Sequence, residues 1–149
     1  MRMAFLTALI FFVGCATQNG GSGSSGTSSS GSAPVTGSGA GVKIVKPATL
    51  ADVDSPVEVC METTGYTVEP AKNGVNPGKG HHHLIIDVPL PDLSQPIPKD
   101  GNHVHMGDGS TCKSLTLSKG QHTITALFAQ GNHVPYDPPV KHSITITVN

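Results

Sequence analysis

Two segments near the end of the chain place apolar residues at every second position, and this period of two constrains the fold more than any other feature. Ile124, Ala126 and Phe128 share one parity with His122, and the segment 142–148 repeats the pattern. This period places the apolar residues on one face of a strand, whereas a helix needs them three or four positions apart. The pattern therefore predicts two half-buried β-strands.

The same pattern along residues 42–149 predicts about seven short strands, named A to G, with turn signals between them. Six of them cover 42–46, 57–62, 81–88, 103–106, 122–128 and 142–148, and Leu115 and Leu117 mark the remaining strand, E. Strand C (81–88) is apolar on both faces at Leu84 to Ile86, which is typical of a central strand. The strand at 103–106 fits either position D or position C′. The proline-rich segment 89–98 between them is predicted to be a loop, because proline interrupts strand pairing.

Short strands in this number, within about the size of one domain, predict an all-β, immunoglobulin-like β-sandwich over residues 42–149. A different small β-barrel is the alternative. Strand C has no tryptophan and no cysteine pair links strands B and F, so the chain differs from antibody domains. His122 lies where strand F begins after the predicted E–F corner. We expect it to form hydrogen bonds within that corner rather than to bind a ligand.

The amino-terminal segment predicts export and a lipid anchor. Residues 1–14 combine Arg2 with an apolar run too short to span a bilayer, which is typical of a signal peptide. The run ends at Cys15 after small residues and resembles a bacterial lipobox, with an ordinary cleavage site beside an incidental cysteine as the alternative. Residues 15–41 are mostly glycine, serine and threonine and predict a disordered linker. We therefore expect a lipoprotein that contacts the membrane through its anchor, with Ala16 favouring the outer membrane over the inner one.

Composition excludes two classes of ligand. Nine basic and ten acidic residues give a formal net charge of −1, so the chain lacks the basic surface that nucleic acid requires. Tryptophan is absent and aromatic residues are only 4% of the chain, which argues against stacking platforms for bases or sugars. The compositional outlier is histidine, with eight residues.

Cys60 and Cys112 are predicted to form a disulfide. Alternation places both side chains on the outer face of the sandwich, Cys60 on strand B and Cys112 on strand E. Strands B and E are neighbours in the immunoglobulin arrangement, and exported proteins keep their disulfides. Two free thiols, or soft metal ligands, are the alternatives.

Most of the histidines are expected at one end of the sandwich, where the start of strand C and the D–E and F–G loops meet. Imidazole is the commonest neutral ligand of zinc and copper. Residues two apart on a strand share a face, so two His-x-His pairs can contribute to one site with a further histidine from the F–G loop. The predicted metal ligands are His81, His83, His103, His105 and His133.

Neighbouring residues refine this hypothesis. Met106 adds a thioether that would favour copper, and Asp108 and Asp137 lie near enough in sequence to orient ligands. His82 shares parity with Leu84 and is expected at the edge of the core. The alternatives for the histidine group are a surface that binds an envelope protein or polysaccharide without metal, or a network of structural hydrogen bonds. No nucleophile or carboxylate pair stands in a catalytic pattern, so we expect no enzyme.

Three strings of residues resemble the bacterial domain-of-unknown-function family 4399. They are Gly-Lys-Gly-His-His-His-Leu-Ile-Ile-Asp at 78–87, the segment 97–109 with its His-Val-His-Met-Gly-Asp-Gly, and Leu-Ser-Lys-Gly-Gln-His-Thr-Ile at 117–124 followed by His-Val-Pro at 133–135. The resemblance spans residues 42–149 in the same order. It implies a small exported β domain whose signature is these histidines, and it assigns no reaction.

Overall fold

The computed structural model describes residues 39–149. The predicted signal peptide, the lipid attachment at Cys15 and nearly all of the linker lie outside the described residues. Within residues 39–149, no helix is both long enough and apolar enough to cross a membrane.

The described residues form strands joined by turns, with one short 3₁₀ turn at Ala71–Asn73. Seven strands correspond to the predicted A to G, and two strands of two residues each, β2 and β4, were not predicted. The strands are β1 (Gly41–Lys46), β2 (Asp52–Val53), β3 (Val57–Thr64), β4 (Thr67–Val68), β5 (Lys79–Ile86), β6 (His103–His105), β7 (Cys112–Leu115), β8 (Gly120–Ala129) and β9 (Lys141–Val148).

Two sheets make up the sandwich within this range. The smaller has the order β1-β3-β7, and the larger has the order β2-β9-β8-β5-β4 with β6 also paired to β5. These correspond to the A-B-E and G-F-C sheets, so the immunoglobulin-like prediction is confirmed. Because β6 pairs with β5 in antiparallel register, it occupies position C′ and not position D. Leu117 lies beyond the end of β7.

The core lies between the two sheets and follows the predicted alternation. Val59 on the smaller sheet and Leu84, Ile124 and Phe128 on the larger one have no measurable exposure. One cluster of apolar side chains joins both inner faces. Burying such side chains contributes roughly 1.5–3 kcal/mol each, which fixes the register of β5 and β8 against the core.

A disulfide links the two strands of the smaller sheet that were predicted to be neighbours. Cys60 on β3 and Cys112 on β7 stand opposite each other in the antiparallel register and are covalently joined. The predicted pairing is confirmed. The bond closes a loop with a sequence separation of 52, which restricts the unfolded chain and stabilises the folded one by about 4 kcal/mol.

The larger sheet is also covered on its outer face. The proline-rich segment between β5 and β6 places Leu90, Leu93 and Ile97 against Ile85 and Leu127. Strand β5 is consequently buried on both faces. Polar side chains on its outer face are therefore enclosed between the sheet and this segment.

Candidate metal centre

Three consecutive histidines, His81 to His83, lie near the start of β5, and strand alternation turns their side chains to opposite faces of the sheet. His82 points into the core, where its ring lies 5.2 Å from that of Phe128 and its Nε2 lies 3.2 Å from Oγ1 of Thr63. His81 and His83 point to the outer face, and their exposures are 0% and 1%. The expectation that His82 borders the core agrees with this geometry.

His105 reaches the same outer face from β6. The register of β5 and β6 sets His105 opposite His83. The imidazole of His105 lies over Gly107, and a Cβ at that glycine would overlap the ring. Gly107 therefore provides the space that the His105 ring occupies. This need for a residue without a side chain at position 107 was not predicted from the sequence.

His133 comes from the loop between β8 and β9. Its backbone has φ = 69°, in the left-handed region that few residues other than glycine adopt. The backbone N–H of His133 donates to Gln130 O at 2.8 Å, and its carbonyl accepts from the N–H of Ile97 at 2.9 Å. These two bonds hold the residue in this conformation and tie its loop to the proline-rich segment.

The four imidazoles of His81, His83, His105 and His133 form one compact group, which we call the histidine cluster. Their ring centroids lie between 4.7 and 5.8 Å apart in all six pairs. One ring nitrogen from each of His81, His105 and His133 lies within 4.8 Å of the other two. Among residues 39–149, these three nitrogens are the potential ligand atoms that lie close enough together to hold one metal ion.

The nitrogens of the cluster approach each other in pairs. Nε2 of His81 lies 3.0 Å from Nε2 of His83, and Nε2 of His105 lies 3.1 Å from Nε2 of His133. Two imidazole nitrogens bound to one zinc or copper ion are about 2.8–3.3 Å apart, given metal–nitrogen bonds of about 2.0 Å. The two pairs therefore already have the spacing of neighbouring ligands.

Burial lowers the pKa of His81, His83 and His105 and so favours their neutral form. Desolvation lowers the pKa of His81 to about 4, with the neighbouring His105 and His133 acting in the same direction. Desolvation and then the charge of His81 lower the pKa of His83 further. The pKa of His105 is lowered for the same reason and by its neighbour His133. Neutral imidazole is the form that binds metal, so protons do not compete with a metal ion near pH 7.

Hydrogen bonds do not satisfy all the nitrogens of the cluster. Within residues 39–149, Nδ1 of His81 and Nδ1 of His83 are buried without a hydrogen-bond partner. An unpaired buried polar atom costs about 1–3 kcal/mol, so it needs an explanation in a native structure. His81 and His83 therefore each keep one nitrogen that no protein group among residues 39–149 uses, as does His82 in the core, and a donor set of imidazoles alone suits zinc or copper.

His103, also a predicted ligand, is not brought into the group of three nitrogens. It lies opposite Ile85 in the register, two positions from His105. Its Nδ1 pairs with Oδ1 of Asp100 at 2.8 Å. The carboxylate therefore occupies one ring nitrogen of His103, and the three grouped ligand atoms do not include this residue.

Other residues singled out by the sequence also lie elsewhere. Met106 is 2% exposed and belongs to the core, so the prediction of a thioether ligand is wrong: alternation turns Met106 away from the face that His105 shares with the cluster.

His142 accepts a hydrogen bond from the Ile44 N–H at its Nδ1 and so links the two sheets. Asp108 accepts hydrogen bonds from Ser110 rather than from a histidine. Most of the histidines were expected at one end of the sandwich. The structure groups four of them on the outer face of the larger sheet.

His122 occupies a corner distant in register from the cluster. Its Nδ1 donates to Oδ2 of Asp87 at 2.6 Å, and its Nε2 donates to the Ser118 carbonyl at 2.9 Å. The hydrogen bond to Asp87 is the main cause that raises the pKa of His122, followed by the bond to Ser118. Both nitrogens are used within the protein, as expected of a corner residue.

A pocket of about 280 Å³ adjoins the histidine cluster. Three cluster members line it, together with three residues of the segment that covers the sheet: His83, His105 and His133, with Ile97, Pro98 and Lys99. Ile97 and Lys99 were not predicted from the sequence to belong to the site. The apolar residues spaced between the prolines of segment 89–98 were the available signal that this loop packs on the sheet.

A β-sandwich that carries enclosed imidazoles on the outer face of one sheet defines a small β domain with a candidate metal centre. The model of the family described as "Domain of unknown function (DUF4399)" matches residues 59–149, and the chain belongs to this family. The matched range contains the whole histidine cluster, and the resemblance inferred from the three histidine-bearing strings is confirmed. No curated protein and no solved structure matches the chain.

Proposed function

We propose that this domain binds one transition-metal ion, copper or zinc, through His81, His105 and His133 with His83 beside them. The observation that carries the proposal is the convergence of three ring nitrogens within 4.8 Å, from three separate segments of the chain. Bringing several imidazoles together in a buried place is costly unless something binds their nitrogens. A divalent ion removes that cost.

We further propose that the protein is non-catalytic and acts in the cell envelope, anchored through Cys15. The disulfide between Cys60 and Cys112 supports an oxidising compartment, where such bonds persist. The sequence pattern of residues 1–15 supports export and lipid attachment. Binding of a metal ion in that compartment is the role that these features share.

Titration of the purified, chelator-treated protein with Cu(II) and with Zn(II) tests the proposal. We expect about one ion per chain with a dissociation constant of about 1 µM or below. The double variant His105→Ala/His133→Ala should weaken binding at least about a hundredfold, because two of three ligands are lost. Both side chains are only partly buried, so the variant should keep its fold, which circular dichroism checks.

The matched control is His142→Ala, which removes a partly buried histidine from β9 outside the cluster. It should bind metal as the unchanged protein does. Absence of stoichiometric binding, or equal affinity in the double variant, would refute the proposal. Capture of an envelope protein or polysaccharide by the metal-free protein would instead favour the metal-independent binding role.

A further inference from the structure

The pocket beside the histidine cluster gives a ligand access to the proposed metal. His83, His105 and His133 line the pocket, whereas His81 is fully buried and does not line it. Three imidazoles leave at least one coordination position to be filled, because zinc and copper take four or more donors. A donor that reaches this position must come through the pocket.

The charge of this region favours an anion. The cluster consists of imidazoles, so an ion bound there keeps its full positive charge. Lys99 lines the pocket and is close enough to His105 for its charge to act on that ring. Asp108 acts on His105 in the opposite direction, and its effect on that ring is smaller than the effect of Lys99.

The remaining walls set the size and character of the ligand. Ile97 and Pro98 provide apolar surface in the pocket that the histidines also line. A volume of about 280 Å³ lies just below the range of pockets that hold drug-sized molecules, so the ligand is small. One lysine and few other donors suit a monoanion, whereas phosphate is usually held by several donors and often by arginine. The only arginine of the chain is Arg2.

We propose that this pocket binds a small organic carboxylate, with one oxygen on the metal and the other on the Lys99 ammonium. The short apolar chain of the ligand packs against Ile97 and Pro98. This inference rests on the proposed metal site and adds its ligand class.

Absorption spectroscopy of the Cu(II)-loaded protein tests this inference. Titration with butyrate should shift the visible copper bands saturably, and acetate should bind more weakly because it offers less apolar contact. Phosphate at the same ionic strength should bind more weakly than butyrate. The variant Lys99→Ala should weaken butyrate binding about fivefold, which is the scale of one exposed ion pair, and should not weaken copper binding, because it removes a positive charge near His105.

Two further variants separate charge from general disturbance. Lys99→Arg should retain butyrate affinity within about twofold, since the charge is kept. Lys43→Ala removes an exposed lysine from β1 on the opposite sheet and should change nothing. If copper binds but its spectrum ignores every anion, or if phosphate binds more tightly than butyrate, the carboxylate pocket is wrong while the metal site stands. If copper does not bind, both proposals fail.

Discussion

The domain has two histidine sites of opposite design. At the corner, His122 donates both ring nitrogens, one to the Asp87 carboxylate and one to a carbonyl, and its pKa is raised. In the histidine cluster, imidazoles face one another without a carboxylate among the grouped ligand atoms of residues 39–149, and burial lowers the pKa of His81 to about 4.

The difference shows what each site can hold. The corner already contains its counter-charge, which favours the protonated form of His122, and both ring nitrogens have partners in the protein and none is left for a metal. In the cluster, burial lowers the pKa of His81, His83 and His105, and Nδ1 of His81 has no partner among the described residues. A cation from outside the protein is the group that fits the second site and not the first.

The largest expected effect is acid sensitivity that arises in the cluster. The folded-state pKa of His81 is lowered from 6.5 to about 4, so the unfolded chain takes up its proton first as pH falls. Stability is therefore complete above pH 6.5 and is lost between pH 6.5 and 4, by on the order of 3 kcal/mol from His81 alone. Chemical denaturation of the metal-free protein at several pH values measures this loss.

The double variant His81→Leu/His83→Leu isolates this contribution. Both side chains lie beside the apolar residues of the outer face, so leucine is accommodated there. We expect the variant to depend less on pH than the unchanged protein over the same interval. Equal slopes in the two proteins would show that the cluster does not cause the acid sensitivity.

The corner should show the opposite sign and a smaller effect. Because the pKa of His122 is raised, its bond to Asp87 stabilises the fold fully below pH 6.5 and less as pH rises through the folded-state pKa. His122→Ala should lower the free energy of unfolding by about 1 kcal/mol more at low pH than at high pH, since Asp87 is partly exposed. Asp87→Asn should show the same dependence, and a pH-independent loss in both variants would contradict the assignment.

The smallest effect is expected at His103. The sequence predicted this residue as a metal ligand, whereas the structure leaves it out of the three grouped nitrogens. The residue lies on β6 with His105, but its Nδ1 pairs with Asp100. His103→Ala should therefore change metal affinity by less than about twofold, while His105→Ala should weaken it strongly. Isothermal titration of both variants decides this, and a tenfold loss in His103→Ala would return the residue to the site.

Much of the fold could be predicted because its signals are local. Alternation along β8 and β9 identified which residues face the core, and the parity of Cys60 and Cys112 identified a disulfide on neighbouring strands. The site was predicted less completely. His81, His83, His105 and His133 were recognised as candidates, but Met106 was assigned to the wrong face and Lys99 was not considered.

By itself, the sequence determined that the domain is a β-sandwich, which residues alternate, and that histidine is its distinctive side chain. Periodicity and turn chemistry act over a few residues, so they can be read without the fold. Only the tertiary structure decided that β6 pairs with β5, that His133 folds over the sheet with φ = 69°, and that the proline-rich segment covers its outer face. These features depend on contacts between distant segments, and such contacts leave no local period in the sequence.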